Sequence, residues 1–284
     1  MSNPSRRKLP RRNPPSKSHL HFPFRAAGEW TPAAFFDLSG ILHFTSPPEV
    51  WYDTLMYIQD QLEEIRAAIA AAEQRAGRPA GSVTLLAVSK TFPVSDIMQA
   101  YADGQRVFGE NRLQEAMEKM PQMPQDCVWH LIGPLQRNKV RKALEQGFGL
   151  IQAVDSMKLA AAISRIAGET GVTARILLEV NVDGEASKHG FTPEEIQEEW
   201  EALVALPYLD IRGLMCIPAP VENPQDARPA FAALRVLAEK LRARGPLPLP
   251  ELSMGMSHDF AVAVEEGATI VRVGSAIFGK RTYA

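Results

Sequence analysis

Cysteine is scarce in this 284-residue chain, which holds only Cys127 and Cys216, far apart, with no CxxC pair and no histidine pair at metal-ligand spacing nearby. That excludes a disulfide framework and a structural zinc site, and it points to a reducing, cytoplasmic compartment. Long apolar runs are also missing. The best candidate, Ala33 to Phe44, is short and interrupted by Asp37, so nothing is expected to span a membrane. Charge of one sign is not in excess either: 31 Lys plus Arg stand against 33 Asp plus Glu, a net charge of -2, and the field of a dedicated nucleic-acid binder is absent. What is there looks globular. Hydrophobic residues at 45%, charged residues at 23% and aromatics at 7% exclude collagen, coiled coil and wholesale disorder, and the length suits one large domain or two modest ones.

The first 28 residues hold seven Lys or Arg and no acid, and residues 1–55 contain 8 of the 22 prolines without a helical or strand period. Such a composition cannot bury a core, so residues 1–55 read as a non-globular basic leader and 56–284 as the folded domain. Three readings of the leader stay open. It would suit a transit peptide, but Pro4, Pro10, Pro14 and Pro15 oppose the amphipathic helix such peptides need; a wrongly chosen upstream start codon and a basic tail touching an anionic surface are the others.

From Tyr57 a helical stripe begins, with Ile58, Leu62, Ile65, Ile69 and Ala72 at three-to-four spacing up to Gly77. Short apolar runs then alternate with helical segments. The expected strands are Val83 to Val88, Arg106 to Phe108, Val128 to Ile132, Leu150 to Val154, Arg175 to Val182, Ile211 to Ile217, Glu251 to Met254 and Thr269 to Val273. Strands joined by helical crossovers run parallel, and eight such units in about 200 residues fit a closed (β/α)8 TIM barrel better than an open doubly wound sheet, the alternative.

In such a barrel functional residues sit at the C-terminal ends of strands. Lys90, directly after Leu85-Leu86-Ala87-Val88-Ser89, would point its amine into the mouth, where desolvation favours the neutral nucleophile, although a solvated loop lysine fits the same spacing. Asn111, with Arg112, follows the second strand and either frames a ligand or starts a helix. Ser253, Gly255 and Ser257 follow the seventh strand; Arg272, Gly274 and Ser275 end and follow the eighth. Loops after strands seven and eight commonly bind phosphate, with glycines allowing close backbone approach and Ser257 or Ser275 capping a helix while offering a hydroxyl. His130 stays open between a base and a core histidine. The run Arg137, Lys139, Arg141 and Lys142 reads as a solvated helix face or a patch for phosphate compounds.

Several of these segments together carry a resemblance. Leu86-Ala87-Val88-Ser89-Lys90-Thr91, Phe108-Gly109-Glu110-Asn111-Arg112-Leu113-Gln114-Glu115, the run from His130 to Lys139, Arg212-Gly213-Leu214-Met215, Leu252 to Ser257 and Arg272 to Gly279 resemble, in order, the pyridoxal phosphate homeostasis protein family. The resemblance covers roughly residue 57 to the end. It implies a single barrel of the alanine racemase N-terminal type, with pyridoxal 5'-phosphate (PLP) as cofactor, held as an internal aldimine on Lys90. It further implies a role in PLP supply with no established reaction, and PLP and apo PLP-dependent enzymes as partners; a cytoplasmic monomer is expected. The cofactor would be bound by Lys90, Asn111, Ser253, Gly255, Ser257, Arg272, Gly274 and Ser275. Arg272 would face either the ring nitrogen, which it would keep unprotonated, or the phosphate. The alternative is a PLP-dependent amino-acid racemase or lyase using Lys90 and His130 as bases. None of the tyrosines falls just after an expected strand at the rim, which favours a carrier.

Overall fold

A computed structural model of the chain describes residues 34–36, 42–44, 49–184 and 189–279, with side chains from residue 57 on. Most of the leader, including residues 1–33, and Lys188 lie outside the described residues. The chain divides into two compact units, Met1–Tyr52 and Asp53–Ala284. The first contains an antiparallel pair, β1 (Ala34–Phe36) and β2 (Leu42–Phe44), with Phe35 opposite His43. Three-residue strands are too short to display a period, and the sequence reading passed over them. Helix α1 (Glu49–Arg75) also starts two turns before the apolar stripe at Ile58. Pro47 and Pro48 precede it and Glu49 and Asp53 occupy its first turns, an entry signal that does not depend on burial.

The second unit is the closed barrel. Its strands are β3 (Thr84–Val88), β4 (Val107–Glu110), β5 (Val128–Leu131), β6 (Leu150–Val154), β7 (Ala174–Glu179), β8 (Leu209–Met215), β9 (Glu251–Ser253) and β10 (Ile270–Val273). They pair in chain order, all parallel, and β10 closes on β3 through Ile270 opposite Thr84 and Val273 opposite Ala87. Closure removes the open-sheet alternative. The crossovers are α2 (Val94–Ala102), α3 (Leu113–Lys119), α4 (Val140–Gln146), α5 (Met157–Thr170), the pair α6 (Pro193–Glu198) and α7 (Trp200–Val204), α8 (Arg228–Arg244) and α9 (Phe260–Glu265), with a last turn, α10 (Ser275–Phe278). Ser156 caps α5 by accepting from the Leu159 N–H, and Thr192 with Glu195 forms a capping box on α6.

Side chains alternate along each strand, and that parity builds two apolar layers. Leu85, Ala87, Phe108, Trp129, Leu131, Ile176 and Val271 face the helices and join a large core that includes Ile58, Leu62 and Ile69 of α1. Leu86, Val88, Ile132, Leu150, Leu177, Met215 and Ile270 face the axis and make a separate inner cluster. The inward parity also carries polar residues. His130, Gln152, Glu179, Ser253 and Arg272 are all buried, and they alternate with outward apolar neighbours. Among the described residues no helix is long and apolar enough to cross a membrane.

Candidate functional site

A cavity of about 520 Å³ opens at the C-terminal end of the barrel. Lys90, Asn111, Ser257, Arg272, Gly274 and Ser275 line it, six of the eight residues expected there. Their arrival follows from strand parity. Leu86 and Val88 point to the axis, so Lys90, two residues further, continues the same row past the strand end and enters the cavity half-buried. Ile270 and Arg272 form the corresponding row of β10, with Gly274 next, and the β10–β3 register lays Gly274 beside Val88. A Cβ on Gly274 would stand 3.1 Å from the Val88 carbonyl oxygen and 3.2 Å from its Cβ, so the backbones approach too closely for a side chain to fit freely.

The loops after β9 and β10 meet at a hydroxyl cluster. Ser257 Oγ accepts from the Gly274 N–H at 3.3 Å, and Ser275 Oγ lies 3.3 Å from it. The expected capping role is corrected by the geometry: α9 begins at Phe260, so Ser257 caps no helix and faces the neighbouring loop. Met256 N–H is taken by Asp259 Oδ1 at 2.6 Å, which ties that loop down. In the last turn, the N–H groups of Ser275 and Ala276 have no carbonyl four residues back within the helix to bond.

Ser253 and Gly255 lie behind the cavity and do not line it. Ser253 ends β9 fully buried, and Gly255 turns the loop with a φ of 87° that favours glycine while its carbonyl accepts from the Arg272 N–H at 3.0 Å. Ser253 belongs instead to a chain of hydrogen bonds through the barrel interior. Arg272 Nη1 donates to Ser253 Oγ at 2.7 Å, Ser253 donates to Gln152 Oε1 at 2.6 Å, and the Gln152 amide donates to His130 Nδ1 at 2.9 Å. Arg272 Nη2 donates to the Cys216 carbonyl at 2.7 Å. The guanidinium, only 4% exposed, is thus anchored on two sides while it lines the cavity. Burial pulls its pKa down from the ordinary value, with Cys216, Glu179 and Asp259 acting in the opposite direction.

His130 lines a different cavity, at the N-terminal end of the barrel, with Val107, Val128, Arg175 and Arg212. Burial pushes its pKa down to about 4, so it is neutral at pH 7 and accepts at Nδ1. It is the core histidine of the sequence reading, bonded to a side-chain amide and not to a carbonyl, and it is out of reach as a base at the upper mouth. Arg137 and Asn138 are exposed and Arg141 pairs with Glu169, a placement that suits both readings of that run. Cys216 is buried, its thiol pushed up to about 12, and Cys127 is half-buried, its thiol pushed up to about 11, burial being the main cause for both.

The cavity also holds residues the sequence reading did not select. Glu179, at the end of β7, is 8% exposed; burial is the main force raising its carboxyl pKa, Asp155 adds to it, and Arg272 and His189 oppose it. An acid closing an otherwise apolar strand was a legible signal. His189, in the loop before α6, lies far from any strand end and had none. Gly133, beside Asn111, has a packing reason: a Cβ there would stand 2.3 Å from the Asn111 carbonyl oxygen.

Amine, hydroxyls and a fixed guanidinium in one cavity suit a small anion that also carries a group reactive toward amines. Comparisons with known proteins agree with that chemistry. Residues 61–282 match the family described as the alanine racemase N-terminal domain. The chain is 44% identical over 225 residues to the pyridoxal phosphate homeostasis protein of Aquifex aeolicus, covering 79% of this chain and 98% of that one. It is similar to PipY of Synechococcus elongatus solved with PLP bound, at 41% identity, with 78% and 100% of the two chains covered and a TM-score of 0.68. An alanine racemase of Clostridium difficile, 16% identical, shares the fold over 81% of this chain and 58% of its own, with a TM-score of 0.63. By these matches the chain belongs to the alanine racemase N-terminal domain family and, within it, to the pyridoxal phosphate homeostasis proteins.

Proposed function

We propose that this protein holds PLP in the C-terminal mouth of its barrel and serves the homeostasis and supply of that cofactor, with Lys90 as the attachment point. PLP supplies an aldehyde that condenses with a primary amine, losing water, together with a phosphate and a pyridine ring. The observation that carries the reading is the meeting of Lys90 with the Ser257–Gly274–Ser275 cluster on adjacent strand ends of a single cavity. Lys90 offers the amine, half-buried in the cavity it shares with apolar Val88. Ser257, Ser275 and the backbone of Gly274 would bind the phosphate. Asn111, held against Gly133, would bound the opposite side.

Arg272 sits deeper than the hydroxyl cluster and is buried, which fits the ring side better than the phosphate side. A guanidinium keeps its proton at any working pH and offers only donors, so a ring nitrogen beside it stays unprotonated and withdraws electrons weakly. That suits a carrier. Ser253 and Gly255 contribute by holding Arg272, and residues 56–284 carry the function. PLP would pass from here to apo PLP-dependent enzymes, in a reducing, cytoplasmic compartment where Cys127 and Cys216 stay free, and the protein would act as a monomer.

Borohydride reduction followed by peptide mapping tests the reading. A pyridoxyl group is expected on Lys90, and Lys90→Ala is expected to lose both the visible absorbance and the adduct while keeping its fold. A pyridoxyl group on another lysine of the wild-type protein, such as Lys139, would sink the assignment. The enzyme alternative is read by alpha-proton exchange of either hand of each amino acid in deuterated water, where many turnovers per minute would replace the carrier by a racemase.

A further inference from the structure

We propose that Lys119, with Glu110 and Glu115, is a buried clamp that positions the turn carrying Lys90, and so controls how readily that amine reaches a bound aldehyde. This rests on the assignment of Lys90 above.

The turn itself calls for a clamp. Phe92 N–H donates to the Ser89 carbonyl at 3.1 Å, closing a β-turn with Lys90 and Thr91 at its centre. Thr91, third in the turn, has a φ of 70°. A positive φ at that position is the type II pattern, ordinarily filled by glycine, and a β-branched residue is strained there. Such a conformation persists only where its surroundings over-determine it.

The surroundings do so on both sides of Lys90. Lys119 Nζ donates to the Ser89 carbonyl at 2.8 Å, to Glu110 Oε1 at 2.8 Å and to Glu115 Oε1 at 2.6 Å. Ser89 Oγ donates to the same Glu110 oxygen at 2.7 Å, and the Thr91 N–H donates to Glu115 Oε1 at 2.5 Å. One ammonium therefore grips the residue before Lys90 directly and the residue after it through a carboxylate. Glu110 is fully buried and Lys119 is 7% exposed, so water competes little for the bonds among Lys119, Glu110 and Ser89, whereas the Thr91–Glu115 bond is exposed. None of the three charged residues lines the cavity, which separates positioning from ligand contact.

Two variants and one rescue test this. Lys119→Met removes the ammonium at similar length, and Glu115→Ala removes the Thr91 acceptor from a partly exposed site. In each, formation of the visible band after mixing with PLP is expected to slow about tenfold, matching the left-handed penalty of an L residue. Affinity for 4'-deoxypyridoxine 5'-phosphate, which lacks the aldehyde, is expected to change less than twofold. Adding Thr91→Gly, which suits a positive φ, is expected to restore most of the rate. If Lys119→Met does not fold, Glu115→Ala and its Thr91→Gly double carry the same comparison. Unchanged rates, or a loss shared equally by the aldehyde-free analogue and not recovered by glycine, would overturn the clamp. A wild-type adduct on another lysine would remove the Lys90 assignment and the clamp together, whereas a Lys90 adduct indifferent to these variants removes the clamp alone.

Discussion

His130 makes the stability of the barrel depend on pH in a window that can be stated in advance. In the folded protein its pKa is about 4, against an ordinary value of 6.5. Unfolding frees the ring, which then takes up a proton below 6.5 that the folded state refuses until about 4. The group's folded pKa is depressed and the neutral form is the one that fits, so its contribution is fully present above pH 6.5 and is lost as pH falls toward 4. At 1.36 kcal/mol per pH step the whole effect is roughly 3 kcal/mol, of which about 2.5 should be gone by pH 4.5. The hydrogen-bond chain explains why protonation is refused. A protonated Nδ1 would confront the Gln152 amide N–H, and turning that amide would present donors to a Ser253 hydroxyl whose oxygen already accepts from Arg272.

Urea unfolding of wild type and His130→Phe at pH 7 and pH 4.5 isolates the effect, since other carboxylates contribute equally to both proteins. Wild type should lose about 2.5 kcal/mol more than the variant between the two pH values. Parallel losses would show that His130 titrates normally in the fold. The reasoning about the buried chain would then fail with it.

The hydroxyl cluster predicts a loss of retention without a loss of fold: Ser257→Ala with Ser275→Ala should weaken PLP binding about tenfold or more, since two bonds at a wet rim contribute roughly 0.5 to 1.5 kcal/mol each, read by equilibrium dialysis beside an unchanged melting temperature. Unchanged retention would move the phosphate elsewhere on the rim. Gly133→Ala should cost about 1–3 kcal/mol in urea unfolding, because the three atoms nearest its Cβ, at 2.3 to 2.9 Å, all belong to the Asn111 backbone, which cannot yield as a flexible side chain would. A chain beginning at Met56 should bind PLP and melt within a few degrees of the full chain, since the described buried stripe of α1 runs from Ile58 to Ala72. A drop of many degrees would give the leader a packing role.

Much of the fold was legible because it rests on repetition. Eight apolar runs separated by helical stretches imply parallel strands, their number fits closure better than an open sheet, and errors of one or two residues at strand ends do not change the count. Lys90 was legible for the same reason, as the next inward position after Leu86 and Val88. Ser253 shows where the rule was applied too loosely: it shares the inward parity, but it lies one step below the mouth and spends its hydroxyl on Arg272 and Gln152. Gly255 was read as a phosphate glycine, while its left-handed φ serves to turn the loop past Phe260 and Ala263. Lys119 could not be found at all from sequence. At the end of a short helix, followed by Met120-Pro121, it looks like any solvated lysine, and only packing of α3 over β3 and β4 brings it to Ser89 and Glu110.

The distribution of burial across the mouth bears on why such a site would exchange its ligand. Arg272 and Glu179 at the floor are 4% and 8% exposed, whereas Pro134, Ile217, His258 and Ser275 at the rim are exposed. Bonds made at the floor act in low dielectric and fix orientation; bonds made at the rim compete with water and salt and contribute less. In the proposed assignment the phosphate, the most costly part to desolvate, meets Ser257 and Ser275 at the wet end. In that assignment a covalent link to Lys90 would be reversible by water. A ring held firmly and a phosphate held loosely would leave hydrolysis of that link, and with it the turn that presents Lys90, as the step that sets residence time.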